Sequence, residues 1–317
     1  MKLHTILFAM CLASFVVTAQ SPGPAFQVVP LGVKGGLDES NLSSYALAVK
    51  GTTDYVLLDA GTIHAGISRA IQNRVWQGDP SSFQKNNIKG YLISHPHLDH
   101  LGGMVINSTD DAAKPVYGTE KTIAALRDRY FSWAAWINFT NEGEKPTLNK
   151  YSLVRLMPGV AAPVLNTTMT VTPFLLSHGN PFESTAFLIT ANENALLYLG
   201  DTGSDEIEKS DKMKQLWQAI APLLKAHRLK AIFIEVSYAN DQPLDKLFGH
   251  LTPQLFANEM KILAGIAGES NLRDFPVVIT HMKPAGDRVQ RIQQELASVN
   301  SYGLRLIFAE QGKPMDF

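Results

Sequence analysis

The segment SHPHLDHLGG, residues 94–103, concentrates side chains that bind divalent metal ions. His95 and His97 are two residues apart, so on an extended or loop backbone both rings can point to the same side. Asp99 and His100 follow within one turn, and imidazole and carboxylate groups are ligands of zinc and related ions. The spacing predicts that one short loop presents ligands to two neighbouring metal ions.

Gly102 and Gly103 close this segment and are expected to permit the tight turn and close backbone approach that such a loop needs. A zinc ion takes about four ligands, so one loop with four candidate side chains cannot complete two coordination shells. Further ligands must come from elsewhere in the chain. His178, Asp201 and His281 are the candidates that the sequence offers.

Each of these candidates follows an apolar run that is typical of a β-strand. The runs GYLISH (90–95), MTVTPFLLSH (169–178), ALLYLGD (195–201) and FPVVITH (275–281) all end in a histidine or an aspartate. A strand leaves the core at such a position and reaches a rim. We therefore expect the ligand-type side chains to converge at one edge of the fold.

The remaining pattern shows what must position this edge. Further apolar, β-branched runs predict strands at 26–33, 45–50, 55–61, 185–190, 231–237 and 304–309. Helical spacing of apolar residues predicts helices at about 62–77, 119–137, 205–227, 252–267 and 286–298. Strands come first and helices then alternate with strands, in two similar halves. This order predicts an α/β fold, an αββα sandwich of two mixed sheets with outer helices.

Composition is that of one large globular domain. The chain has 317 residues, of which 45% are hydrophobic and 18% charged, and we predict a single catalytic domain over residues 20–317. Lysine and arginine number 28 against 29 aspartates and glutamates, so the chain lacks the basic field that nucleic-acid binding requires. No nucleic-acid partner is expected.

Residues 1–19 have the features of a signal peptide. Lys2 precedes an apolar run that is short for a membrane span. Val17, Thr18 and Ala19 then form a small-residue cleavage site before Gln20. Cleavage there would remove Cys11, the one cysteine of the chain, and would leave no membrane anchor. We expect a secreted or periplasmic protein whose metal ions are held by nitrogen and oxygen alone.

The ligand pattern carries a family resemblance. HPHLDH, with His178, Asp201 and His281 downstream, resembles the HxHxDH pattern of the metallo-β-lactamase fold superfamily. The segments ESNLSSYAL, LLDAGT, ISHPHLDHLGGMVINS, LLYLGDTG, GHLTP and ITHMKP make the chain similar to the class II cyclic-nucleotide phosphodiesterases over about residues 26–309.

The resemblance implies two divalent metal ions, with zinc as the first choice and manganese or iron as alternatives. The ions would share a hydroxide that attacks phosphorus. The resemblance implies that Asp99 is both a metal ligand and a catalytic residue. Asp59 would support the site through hydrogen bonds without being a ligand. The implied ligands are His95, His97 and His178 for one ion, Asp99, His100 and His281 for the other, and Asp201 as the bridge.

A second resemblance concerns the leaving group. Glu235 at a predicted strand end and His250 before a helix near Thr252 resemble the Glu and His pair of transfer-RNA-processing nucleases. His250 would then be a general acid or a ligand of a phosphate oxygen, and Glu235 would orient it. The alternative is that His250 is a surface residue beside a helix.

Aromatic residues offer a candidate platform for a nucleobase. Trp133, Trp136 and Phe139 lie in YFSWAAWINF (130–139), and Trp76 and Phe83 precede them. Their spacing is also that of core or interface residues, so both interpretations stay open. If a homodimer forms, residues 130–139 are the expected interface.

The resemblance therefore implies a metal-dependent 3′,5′-cyclic-nucleotide phosphodiesterase that hydrolyses cAMP, cGMP or both to the 5′-monophosphate. Its expected partner is the small cyclic nucleotide. The alternatives are another exported hydrolase of the same fold, such as a β-lactamase, thioesterase or lactonase, or a non-catalytic metal- or nucleotide-binding protein. A transfer-RNA nuclease is disfavoured, because the chain shows no basic arm.

Overall fold

The computed structural model describes residues 23–317, so the predicted signal peptide at 1–19 lies outside the described residues. The chain forms two seven-stranded mixed sheets. The first sheet has its first six strands in chain order: β1 (Phe26–Gly32), β2 (Ser44–Val49), β3 (Tyr55–Leu58), β4 (Ile88–Leu92), β5 (Lys114–Gly118) and β6 (Tyr151–Arg155).

The second sheet is built from the next part of the chain. Its strands lie side by side in chain order: β7 (Ala162–Pro163), β8 (Thr170–Ser177), β9 (Glu183–Ala191), β10 (Asn194–Leu199), β11 (Leu229–Glu235), β12 (Pro276–Thr280) and β13 (Arg305–Phe308). The chain then returns to the first sheet, where β14 (Met315–Asp316) pairs with β1.

Helices belong to both halves of the chain. They are α1 (His64–Gln72), α2 (Pro80–Asn87), α3 (Leu98–Asn107), α4 (Glu120–Ala125), α5 (Asp205–Glu208), α6 (Lys212–Lys225), α7 (Pro253–Ala267) and α8 (Arg288–Val299). A π-helical turn follows α4 at Leu126–Tyr130, and 3-10 turns lie at Leu244–Lys246 and Glu269–Asn271. Within the part of the chain that the structure describes, no helix has the length and apolar character to span a membrane.

Three apolar clusters hold these layers together. The middle cluster lies between the sheets and includes Tyr45 of β2 and Phe233 of β11, whose ring centroids are 5.6 Å apart. The first outer cluster packs α1, α2 and α3 on the first sheet. The second packs α6, α7 and α8 on the second sheet through residues such as Trp217 and Phe256. The predicted αββα sandwich is confirmed.

The histidine-rich segment is a helix start, where a loop was expected. His97 is the N-cap of α3, and Asp99 and His100 lie in its first turn. Gly102 and Gly103 lie inside the helix, so the predicted tight turn is wrong. The predicted close backbone approach is confirmed. A Cβ on residue 103 would lie 2.8 Å from the carbonyl oxygen of Gly61, so this contact requires glycine at position 103.

The helix predicted over 119–137 ends at Tyr130, and residues 131–139 are irregular. The strand β5 was not predicted because it begins with a lysine. The ammonium Nζ of Lys114 is buried and lies 2.8 Å from Asp111 Oδ1. Two tyrosine hydroxyls, of Tyr91 and Tyr151, donate to the other oxygen of this carboxylate, so the polar residue is compatible with the core.

Candidate metal centre

The strand ends meet at one edge of the sandwich. In the second sheet, β8 and β10 are both antiparallel to β9, while β10, β11 and β12 are parallel to one another. Their carboxyl ends therefore point to the same edge, where His178, Asp201, Glu235 and His281 lie. The first sheet contributes His95 just beyond β4, so both sheets supply side chains to the site.

One group of ligand atoms surrounds His97. Its Nδ1 lies 3.0 Å from His95 Nε2 and 3.3 Å from His178 Nε2. Asp201 Oδ2 is 3.8 Å from the Nε2 atoms of both His95 and His178. These four side chains each offer one ligand atom, and the four atoms lie within 4.8 Å of one another.

A second group lies on the other side of Asp201. Asp99 Oδ2 is 3.1 Å from His281 Nε2, and Asp201 Oδ2 is 3.2 Å from the Nε2 atoms of both His100 and His281. Asp99, His100 and His281 together form a second set of atoms close enough to hold an ion. Asp201 faces both groups, which is the position of a bridging ligand.

The outward ring nitrogens are anchored, and the inward ones face the other ligand atoms. His178 Nδ1 lies 2.8 Å from Gly249 O, and His281 Nδ1 lies 2.8 Å from Ser237 Oγ. His100 Nδ1 is 2.7 Å from Asp59 Oδ2, whereas its Nε2 is buried without a hydrogen-bond partner among the described residues. An orphaned buried nitrogen aimed at a carboxylate and other imidazoles fits a metal ligand.

Burial keeps several of these imidazoles neutral. It lowers the pKa of His95 well below its ordinary value and lowers that of His178 to about 4. Burial also lowers the pKa of His97 and of His281. Since a histidine must be deprotonated at the coordinating nitrogen to bind a metal ion, these four imidazoles are suited to divalent cations. His100 differs: burial lowers its pKa, but the carboxylates of Asp201, Asp59 and Asp99 outweigh this and raise its pKa well above its ordinary value.

Asp59 lies behind His100 and not among the ligand atoms. Its Oδ1 accepts from Ser94 N at 2.7 Å, and its Oδ2 accepts from Ser94 Oγ at 2.8 Å and from Tyr198 OH at 2.6 Å. This geometry agrees with the predicted supporting role. Ser94 and Tyr198 were not predicted, because neither a serine just beyond a strand nor a tyrosine within one carries a signal of its partner.

Glu235 and His250 form a buried pair beside the second group. His250 Nδ1 lies 2.7 Å from Glu235 Oε1, and Ser237 Oγ donates to Glu235 Oε2 at 2.6 Å. His250 is 6% exposed, so the alternative of a surface residue is wrong. Ser237 was also missed, and it links this pair to His281.

The charge state of His250 reflects its two acidic neighbours. Burial would lower its pKa, but the carboxylates of Glu235 and Asp201 raise the pKa of His250 above its ordinary value. His250 Nδ1 is 3.8 Å from Asp201 Oδ2, so the ring adjoins the bridging position. With Nδ1 held by Glu235, Nε2 is the nitrogen that can donate a proton to a substrate.

The aromatic candidates lie mainly in the core. Trp76 and Phe83 are stacked at 4.0 Å between ring centroids and belong to the cluster outside the first sheet. Phe139 is buried in the same cluster, and Trp136 packs against it. Trp133 is 39% exposed, and its Nε1 donates to Pro146 O. The core interpretation holds for Trp76, Phe83 and Phe139.

Comparison with known proteins extends these observations. The family model of the class-II cAMP phosphodiesterases matches residues 25–312. A 3′,5′-cyclic-nucleotide phosphodiesterase of Aliivibrio fischeri is 41% identical, over 98% of this chain and 98% of its own length. A probable 3′,5′-cyclic-nucleotide phosphodiesterase of Yersinia pestis is 36% identical, over 96% and 93%.

Solved structures show the same fold. Unliganded yeast PDE1 superposes with a TM-score of 0.81 at 22% identity, covering 93% of this chain and 100% of its own. The metallo-β-lactamase fold protein YhfI of Bacillus subtilis gives 0.61 at 17% identity, over 92% and 99%. Each likeness covers more than nine-tenths of this chain, so it concerns the fold as a whole.

Proposed function

Because the chain belongs to the class-II cAMP phosphodiesterases, and is thus a 3′,5′-cyclic-nucleotide phosphodiesterase, we propose that its two ligand groups form the catalytic centre for hydrolysis to the 5′-monophosphate. The observation that carries this proposal is the placement of Asp201 between the groups, 3.2 Å from His100 Nε2 and from His281 Nε2. A β-lactamase, thioesterase or lactonase activity has no comparable support.

Two divalent ions would supply an activated water and neutralise charge on the phosphoryl oxygens. His95, His97 and His178 would hold one, Asp99, His100 and His281 the other, and Asp201 both. The chain's own residues orient the reaction. Anchoring of His178, His100 and His281 through Nδ1 fixes the ring planes, which determines where the phosphoryl group lies.

His250 completes the reaction on the leaving-group side. Hydroxide, formed from water by loss of one proton to solvent, bonds to phosphorus as the bond from phosphorus to O3′ breaks, and His250 Nε2 donates its proton to O3′. The neutral imidazole then regains a proton from solvent. Glu235 holds the ring through Nδ1 and stabilises the protonated imidazole. The product is the 5′-monophosphate, which carries a free 3′-hydroxyl in place of the cyclic ester.

The activity is tested on the chain from Gln20, purified without chelator. We expect cAMP or cGMP to be converted to the 5′-monophosphate, as followed by chromatography, and a β-lactam incubated alongside to stay intact. Opening of the β-lactam with survival of both cyclic nucleotides would contradict the proposal.

We propose zinc as the resident metal, at two ions per chain, because the ligand atoms are imidazole nitrogens and carboxylate oxygens. Elemental analysis of freshly purified protein should give a ratio near two, and a chelator should remove both the metal and the activity. Manganese or iron at the same ratio would overturn the choice of zinc, and a ratio near one would overturn the dinuclear centre.

We also propose export by cleavage after Ala19, based on the apolar run of residues 1–19. The full chain, expressed in a Gram-negative host, should appear in the periplasm with Gln20 as its first residue, as read by N-terminal sequencing. A chain that starts at Gln20 behind a new methionine is the control and should stay in the cytoplasm. Recovery of uncleaved protein from the cytoplasm would contradict export.

A homodimer through residues 130–139 stays a prediction. Trp133 and Ile137 are 39% and 37% exposed in this segment, and an interface would cover such apolar side chains.

A further inference from the structure

An apolar cleft opens beside the candidate metal centre. We call it the Phe cleft, after Phe182 and Phe248 on its walls; its volume is about 450 Å³, within the range of pockets that hold small organic ligands. Its lining also includes His97, His178, Asn180, Glu208, Leu244 and Asp245.

The cleft is continuous with the site. His97 and His178, two members of the first ligand group, also line the cleft. The ring of Phe182 lies edge-on to that of His97, with 5.1 Å between centroids. A molecule whose phosphoryl group lies at the ligand atoms therefore has Phe182 within reach of its remaining part.

The aromatic walls are exposed although they are apolar. Phe182 is 54% exposed, Phe248 69% and the neighbouring Leu244 59%. Clustered exposed apolar side chains at the mouth of a site are typical of ligand contact. Among the phenylalanines of residues 23–317, Phe182 and Phe248 are the two with exposed side chains, whereas Phe187 and Phe233 are buried in the core.

Phe248 is also held in an unfavourable backbone conformation. Its φ is +53°, in the left-handed region that bulky residues rarely adopt. Gly249 follows with φ +79°, and a Cβ there would collide with Gly179 N and with the backbone of His178. The packing of Gly249 on the backbone of His178 and Gly179 thus fixes the neighbouring Phe248 on the rim of the cleft. Backbone strain of this kind concentrates at ligand-binding segments.

The polar groups of the cleft indicate what it accepts. Among its described lining residues there is no lysine or arginine, so the cleft is unsuited to a phosphate group. Asn180, Glu208 and Asp245 offer amide and carboxylate groups, which accept hydrogen bonds from the N–H groups of a nucleobase. The cationic side chains of Lys283 and Arg288 lie elsewhere, over the ring of Tyr238.

We propose that the Phe cleft binds the nucleobase and ribose of the cyclic nucleotide, with Phe182 and Phe248 as the apolar contacts of the base. This inference rests on the proposed function and adds the residues that distinguish a nucleotide from a simple phosphodiester. Base contact with an aromatic side chain contributes about 1–3 kcal/mol, which corresponds to a 5- to 150-fold effect on binding.

The test compares two substrates on two variants, Phe182→Ala and Phe248→Asn, the latter because asparagine tolerates the left-handed conformation. The substrates are cAMP and methyl p-nitrophenyl phosphate, a phosphodiester that lacks base and ribose. We expect KM for cAMP to rise at least fivefold in each variant with kcat little changed, and kcat/KM for the simple diester to stay within twofold of wild type.

Two further variants serve as controls. Phe248→Trp should keep KM for cAMP near the wild-type value, and Met157→Ala, which removes an equally exposed side chain outside the cleft, should leave it unchanged. Unchanged KM for cAMP in both cleft variants, or equal losses on both substrates, would overturn the Phe cleft while the proposed function stands. A wild type that cleaves only the simple diester would overturn both.

Discussion

Replacement of Asp201 by alanine should lower kcat/KM for cAMP by at least about a thousandfold, the upper part of the range seen when one preorganised electrostatic contact is lost. Its Oδ2 lies within 3.8 Å of the Nε2 atoms of His95, His178, His100 and His281. Without this carboxylate, both ligand groups lose their shared anion, so metal content should fall as well. Steady-state kinetics and elemental analysis on the same sample measure the two effects.

Asp211→Ala is a matched control for this variant. Asp211 is exposed at the start of α6 and its side chain makes no capping hydrogen bond, so the change should alter neither activity nor metal content. If Asp201→Ala kept both ions and more than a tenth of the activity, Asp201 would not be the bridge.

Replacement of His250 by alanine should lower kcat by about 10²- to 10⁴-fold, the usual contribution of general acid catalysis, while metal content stays at the wild-type value. The reason is that Glu235 engages Nδ1 and the pair is buried beside the second ligand group. Glu235→Gln should give a smaller loss, because the ring keeps a hydrogen-bond partner but loses the negative charge that favours its protonated form.

Metal content separates this role from that of a ligand. His250 also lies close enough to Asp201 and His281 to hold an ion with them, so loss of metal in His250→Ala would mean that it is a ligand. His227→Ala is the control, since His227 is exposed after the last turn of α6 and should have no effect. The leaving group gives a second readout: a substrate with a p-nitrophenolate leaving group needs little protonation and should be much less affected.

Much of the fold and the site follows from the sequence through local signals. Apolar runs that end in His178, Asp201 and His281 indicated strands that leave the core, and the structure brings these ends to one edge. The sandwich followed from the order of strands and helices. Both signals depend on short stretches of chain, which is why they can be recognised without knowledge of tertiary contacts.

The parts that were not predicted depend on distant contacts. The start of α3 at Leu98 looked like a loop because Gly102 and Gly103 weaken helix propensity, but Gly103 packs on Gly61 and compensates for this. The strand β5 was not predicted because it begins with Lys114, a charged residue whose buried partner Asp111 is identified only in the folded structure. Ser237 gave no local signal, because its partners Glu235, His250 and His281 meet only after the strands pair.

The division of the ligand atoms between the two sheets has a consequence for how the centre assembles. His95 and His97 belong to the first half of the chain and His178 to the second, and Asp99 similarly faces His281 across 182 residues of sequence. A short peptide with the sequence SHPHLDHLGG would carry the donor atoms of the first half of the chain without this arrangement. Its preference among metal ions would follow their intrinsic affinities for nitrogen and oxygen ligands alone. In the proposed dinuclear centre, discrimination among metals would therefore require the two sheets to be packed together, because each ion takes ligands from both.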